Sequence, residues 1–128
     1  MRVVGTRSAV LLMREAWYGT TRFDEFAARV GLSDAITSSR LRELVDAGLL
    51  ERRPYREPGQ RTRHEYVLTE SGTDLVPVLL GLAAWGRKHA PEEWSPSTTH
   101  AGCGADVTVE VRCAAGHEVS PDDVVITG

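Results

Sequence analysis

Ser38, Ser39, Arg40 and Arg42 fall close together in the stretch "SDAITSSRLRELVDAG", residues 33–48. Short hydroxyls both donate and accept hydrogen bonds, and an arginine fork matches the O6 and N7 of a guanine or the oxygens of a phosphate. Arg56, Arg61 and Arg63 sit in and beside the turn "EPGQRTR", residues 57–63. There positive charge gains from counterion release against a phosphate or in a minor groove. Thr21 and Arg22 open a short helical stretch, where free N–H groups and a guanidinium suit another phosphate. A last group has different chemistry. His100, Cys103, Cys113 and His117 run in the order His-x2-Cys, then Cys-x3-His, which supplies four zinc-competent ligands with knuckle-like spacing. The same residues also suit an inert docked hairpin with small thiols and solvated imidazoles. That is the preferred reading, so no cofactor is assigned.

No nucleophile, base and orienting group are arranged for catalysis, and no glycine loop is built to cradle phosphate. An enzyme is not expected. The net charge of −3 opposes a polyanionic partner only if it is evenly spread, and it is divided. Residues 1–89 hold 14 Lys/Arg against 11 Asp/Glu, whereas residues 90–128 hold 1 against 7. Seven arginines lie between positions 40 and 63, against four acids. A local patch, not the total, is what attracts phosphate. Arginine outnumbers lysine 14 to 1, which reads first as codon usage. The longest early apolar run, Ala9 to Met13, is too short for a signal peptide or a membrane span. A cytoplasmic, nucleoid-associated protein with no membrane partner is expected, its two cysteines reduced or metal-bound.

Apolar spacing supplies the elements that must position these groups. Ala9, Leu12, Met13, Ala16 and Trp17 mark the buried face of a first helix that ends before Gly19. "TRFD" (21–24) has capping-box spacing, and Phe23, Phe26, Ala27 and Val30 form the stripe of a second helix stopped by Gly31. Ser33 caps a third, whose Leu41, Leu44, Val45 and Gly48 face the core while Ser38, Ser39 and Arg42 face away. Two short helices about a glycine turn make a helix-turn-helix. "LLERRPYR" (49–56) and "HEYVLT" (64–69) are strand-like around the Pro-Gly turn, which adds a basic wing. Thr69 caps a long helix over 70–88, kinked early by Pro77 and carrying Leu75, Leu79, Leu82 and Gly86 on a stripe beside Val78 and Trp85. "PEEWSPSTTHAG" (91–102) reads as a linker, and "DVTVEVRC" (106–113) alternates like a strand.

In such a motif the second helix enters the major groove and the first crosses the backbone. The pieces "REAWYGTTRFDEF", "SSRLRELVDAGLLERRPY", "EYVLTESG" and "LVPVLLGLAAW" span about residues 5–88 in order. In these pieces the chain resembles the HxlR family of bacterial winged-helix transcription regulators. The resemblance implies a homodimeric DNA-binding repressor or activator whose first and last helices form the dimer interface. It also implies that Ser38 and Arg40 are DNA-facing and that Arg61 and Arg63 lie in the wing. Three features depart from the family pattern. Thr37 stands where an apolar residue is usual, the wing looks a residue or two longer, and no cysteine precedes the first helix for thiol sensing.

The expected fold is therefore α+β: three N-terminal helices, a β-hairpin wing, a long C-terminal dimerisation helix and a small β-rich extension. The expected division is 1–89, a 90–102 linker and 103–128. Leu75, Val78, Leu79, Leu82 and Trp85 are the expected dimer residues. Double-stranded DNA is the expected partner, with a small-molecule effector near Trp17, Tyr18 and Trp85 as a further possibility. A winged helix used only for protein contact and a MarR-like regulator are the rival readings.

Overall fold

Thr6 stands in extended backbone and accepts the Ala9 amide at 3.2 Å, so the first helix, α1, begins at Arg7 and runs to Trp17. A computed structural model describes residues 4–93 and 97–128. The positions 94–96 of the expected linker lie outside the described residues. Helix α2 covers Phe23–Val30 and ends on Gly31, whose φ of 72° is the left-handed conformation that glycine adopts without strain. The α2 start differs from expectation. Arg22, not Thr21, is the N-cap residue, and no side chain caps it. Thr21 is instead held through its carbonyl, which accepts the Tyr66 amide at 2.7 Å. Helix α3, Asp34–Asp46, begins as expected with the Ser33 hydroxyl accepting the Ile36 amide.

Strands β1 (Leu50–Tyr55) and β2 (Arg63–Leu68) pair antiparallel from Leu50↔Leu68 to Tyr55↔Arg63. An isolated bridge between Arg22 and Glu65 adds the segment before α2 to the other edge of β2. Thr69 then caps the short helix α4, Glu70–Asp74, by accepting the Gly72 amide. Helix α5 follows at Val76–His89. The expected long helix is thus interrupted at Leu75, two residues before Pro77, as a missing donor and a crowding ring require. Gly72 packs so closely on the chain after α3 that a Cβ there would overlap the Leu49 carbonyl oxygen.

The chain forms two compact units, one ending at Leu79 and the other beginning at Leu80. The core of the first unit collects Ala9, Leu12 and Met13 from α1, Phe26 from α2, and Leu41 and Leu44 from α3. Leu49, Leu50 and Leu79 complete it. Tyr66 meets Phe26 edge-on at 6.3 Å, tying the wing to the helices. Thr37 is buried in this unit with no hydrogen-bond partner for its hydroxyl, a consequence of the polar substitution singled out above.

In the second unit the 106–113 segment, expected as a strand, is extended but meets its neighbours only at isolated bridges. These are Thr99↔Asp106 and Arg112↔Glu118, and a 3-10 turn covers Pro121–Asp123. None of the described residues from 97 to 128 is buried. Among the described residues, no helix is long and apolar enough to cross a membrane.

Candidate nucleic-acid interface

Leu41 and Leu44 anchor the inner face of α3 with no measurable exposure, which turns positions 38, 39 and 42 outward by the helical period. Ser39 and Arg42 are exposed and Ser38 half-buried. Ser38 and Arg42 share a cleft of about 380 Å³ with Val45, Asp46, Arg52 and Tyr66, so the outer face of α3 opens directly against the wing. Arg52, Arg61, Arg63 and His64 line a second cleft of about 550 Å³ along the wing. Its other walls are Phe23, Asp24, Tyr55, Thr62 and Tyr66. The side chains of Arg42, Arg61 and Arg63 have no hydrogen-bond or ion-pair partner among the described residues. Unpaired guanidiniums on an exposed surface are available to an outside anion without first breaking an internal bond.

The other expected contacts are differently placed. Arg40 donates from Nε to the Ser8 hydroxyl at 3.1 Å and from Nη1 to Glu43 at 2.9 Å. It therefore links α3 to α1 rather than standing free beside Arg42. Arg56 donates from Nε to the Gln60 carbonyl at 2.8 Å and holds the wing turn closed. Arg22 donates from Nη2 to Glu57 Oε1 at 2.8 Å, and its guanidinium lies over the Tyr55 ring at 4.7 Å. The hydrogen bond to Glu57 first, and the field of Tyr55 next, hold Arg22 still higher than the ordinary arginine range.

Arg52 and Tyr55 also line the candidate site, though they were not among the residues expected from the sequence. Arg52 lines both clefts and donates from Nη2 to His64 Nδ1 at 3.0 Å. The signal lay in strand alternation: with Pro54 opposite His64, Arg52 and His64 become diagonal neighbours on one face. The expected dimer residues separate into two groups. Leu79 is part of the chain's own core and Leu75 packs against it. Val78, Leu82 and Trp85 remain 54%, 40% and 59% exposed. Of the candidate zinc set, His100 Nδ1 and Cys103 Sγ lie 3.3 Å apart. Among the described residues, no three His, Cys, Asp or Glu side chains gather where a metal ion could be held.

Three helices followed by a hairpin, with an outward polar helix face beside a basic wing, define a winged helix-turn-helix. The comparisons with known proteins then fix the family. An HxlR-like helix-turn-helix model matches residues 3–94, and the chain belongs to that family of DNA-binding transcription regulators. An uncharacterised HTH-type transcriptional regulator of Mycobacterium tuberculosis is 36% identical over 127 residues, 97% of this chain and 79% of that protein. The crystal structure of PA1607, a proposed transcription factor, superposes with a TM-score of 0.86 at 31% identity, covering 98% of this chain and 89% of that one. PA1374 of Pseudomonas aeruginosa, likewise a proposed transcription factor, gives 0.72 at 34% identity over 98% of this chain and 86% of its own. Both superpositions extend beyond the residues that the family model matches.

Proposed function

We propose that the chain is a sequence-specific repressor that binds an inverted-repeat operator as a homodimer, and that it works by binding rather than catalysis. The observation that carries this reading is the outward face of α3. Ser38 and Arg42, whose guanidinium has no partner among the described residues, line a cleft whose other wall is the wing, and Ser39 is exposed on the same helix. In this reading α3 lies in the major groove, with Arg42 on a guanine edge and the serines allowing close approach. Arg61 and Arg63 neutralise phosphates or enter the adjacent minor groove. Helix α5 joins two copies through Val78, Leu82 and Trp85, which follow the helical period and are exposed in the single chain. The partner's α3 would then read a second half-site, about one helical turn or a multiple of ~10–10.5 bp away.

Selection of bound sequences from a random duplex pool, followed by titration at several salt concentrations, tests the assignment. Arg42→Ala should cost roughly 1–3 kcal/mol on the selected operator and relax selectivity at one position. Arg61→Ala or Arg63→Ala should weaken all duplexes alike and lower the salt slope by about one. Variants that bind every duplex as well as the wild type would remove the interface from this surface. For assembly, light scattering should report a dimer that Trp85→Glu shifts toward the monomer. Leu79 is unsuited to that test, because its side chain belongs to the core.

A further inference from the structure

The wing carries its own anion to the residue proposed to meet a DNA phosphate. Arg22 sits at the entrance to α2, and its backbone is fixed by the Arg22↔Glu65 bridge and by the bond from the Tyr66 amide to the Thr21 carbonyl. Its side chain crosses to the wing. There the Tyr55 ring, at the end of β1, lies beneath the guanidinium at 4.7 Å, and Glu57 Oε1, in the turn, accepts a hydrogen bond of 2.8 Å. A carboxylate and a phosphate present the same kind of oxygen edge to an arginine fork. Glu57 therefore offers Arg22 the same kind of oxygen edge that a backbone phosphate offers.

We propose that Glu57 is an internal phosphate mimic that closes the wing onto α2 through Arg22 until a DNA phosphate displaces it. Tyr55 is the positioning residue that keeps the guanidinium in place during the exchange. This rests on the DNA-binding reading above and deepens it. Two features make the exchange easy. Both partners are substantially solvated, with side-chain exposures of 43% for Arg22 and 52% for Glu57, and exposed ion pairs are individually weak. The ring contact does not depend on Glu57, so Arg22 stays aimed when the carboxylate leaves. Displacement also frees the Glu57 turn from α2, which lets the wing adjust to the groove it meets. By contrast Arg61 and Arg63 have no internal anion to displace among the described residues.

The test uses the full chain, a random-sequence duplex and fluorescence anisotropy at fixed salt, because phosphate contacts are independent of sequence. Glu57→Gln should bind about two- to fivefold tighter than wild type, the range expected for releasing an exposed pair. With Arg22→Ala in the background the same change should give clearly less, and the double-mutant cycle isolates that difference from simple removal of a negative charge. Glu51→Gln, on the same wing but paired with Arg53, is the charge control and should match the smaller effect. Tyr55→Phe should bind as wild type, whereas Tyr55→Leu should weaken binding about two- to threefold. In the DNA-free protein, Glu57→Gln should speed hydrogen exchange of the wing-turn amides. If Glu57→Gln binds no tighter, or tightens equally in the Arg22→Ala background, the mimic is overturned while DNA binding stands. If the wild type binds no duplex at all, the DNA-binding reading falls and the mimic falls with it. The exchange experiment then reports only on the Arg22–Glu57 contact.

Discussion

The unit ending at Leu79 and the unit beginning at Leu80 differ in what holds them together. The first gathers nine buried apolar residues from three helices, the start of β1 and Leu79 into one cluster. In the described tail from 97 to 128, by contrast, no residue is buried, and Val109, Val111, Val124, Val125 and Ile126 are all exposed. The tail is shaped by short backbone hydrogen bonds, such as His100 N to Ala105 O at 2.8 Å and Val119 N to Val111 O at 2.8 Å. Hydrophobic burial dominates folding stability, and a hydrogen bond exchanged with water adds little net. The comparison teaches where the functional surface can be rigid: α3 and the wing are braced by a core, and the tail is not.

The strongest way to break that contrast is to empty the core. Leu44→Ala removes a fully buried side chain beneath the α3 face and should cost about 2–5 kcal/mol in urea unfolding. Gly72→Ala should cost about 1–3 kcal/mol by overpacking, since its new methyl would meet the Leu49 backbone, which cannot swing aside as a side chain can. A wild-type unfolding midpoint in either variant would mean that the core is not what braces the interface.

The core also contains one polar fault, and it allows a gain to be predicted. Thr37 is fully buried with an unpartnered hydroxyl. Thr37→Val keeps the shape and removes the unsatisfied group, so stability should rise by about 1 kcal/mol or more. Affinity for DNA should not change, because the side chain points inward. A Thr37→Val protein that unfolds earlier would show that the hydroxyl has a partner, such as a buried water.

Much of the first unit was legible in the sequence because its apolar residues repeat at the helical period and its ends carry strong signals. Ser33, Gly31 and Thr69 each perform the capping or stopping role their types suggest. Thr21 misled because its capping spacing is met equally by a residue whose carbonyl is wanted by β2. The side-chain direction of Arg40 was not legible for a related reason. A helical net places it at the edge of the outward face, and only the tertiary neighbour Ser8 decides which way the side chain turns. The Arg22–Tyr55–Glu57 cluster joins residues 35 positions apart, which no local pattern encodes. The alternation of "DVTVEVRC" was real but insufficient, since a strand needs a partner with free edge groups along its whole length.

The tail should be tolerant where the core is not. Val125 is 82% exposed, so Val125→Ala should change stability by less than about 0.5 kcal/mol. A loss several times larger, dependent on protein concentration, would show that this apolar strip is covered when copies of the chain associate and would erase the contrast between the units.

The smallest effect concerns Cys113, which is exposed at a tight turn closed by Gly116 at φ 86°. Backbone N–H groups of His117 and then Ala115 hydrogen-bond to its sulfur and lower the thiol pKa below the ordinary cysteine range. Because the thiolate is the reactive species, alkylation of Cys113 by iodoacetamide should reach its half-maximal rate at a lower pH than in the urea-unfolded chain. A folded-state pKa below the unfolded one gives stability that is fully present above the unfolded thiol value and lost as pH falls through the folded one. The tail turn should therefore become slightly more protected from proteolysis as pH rises through the thiol range, and Cys113→Ser should remove that dependence. Equal alkylation profiles for folded and unfolded chains would mean that the turn does not hold its amides on the sulfur in solution. The contrast would then be sharpened further, to a braced interface and a tail whose local geometry is itself only loosely kept.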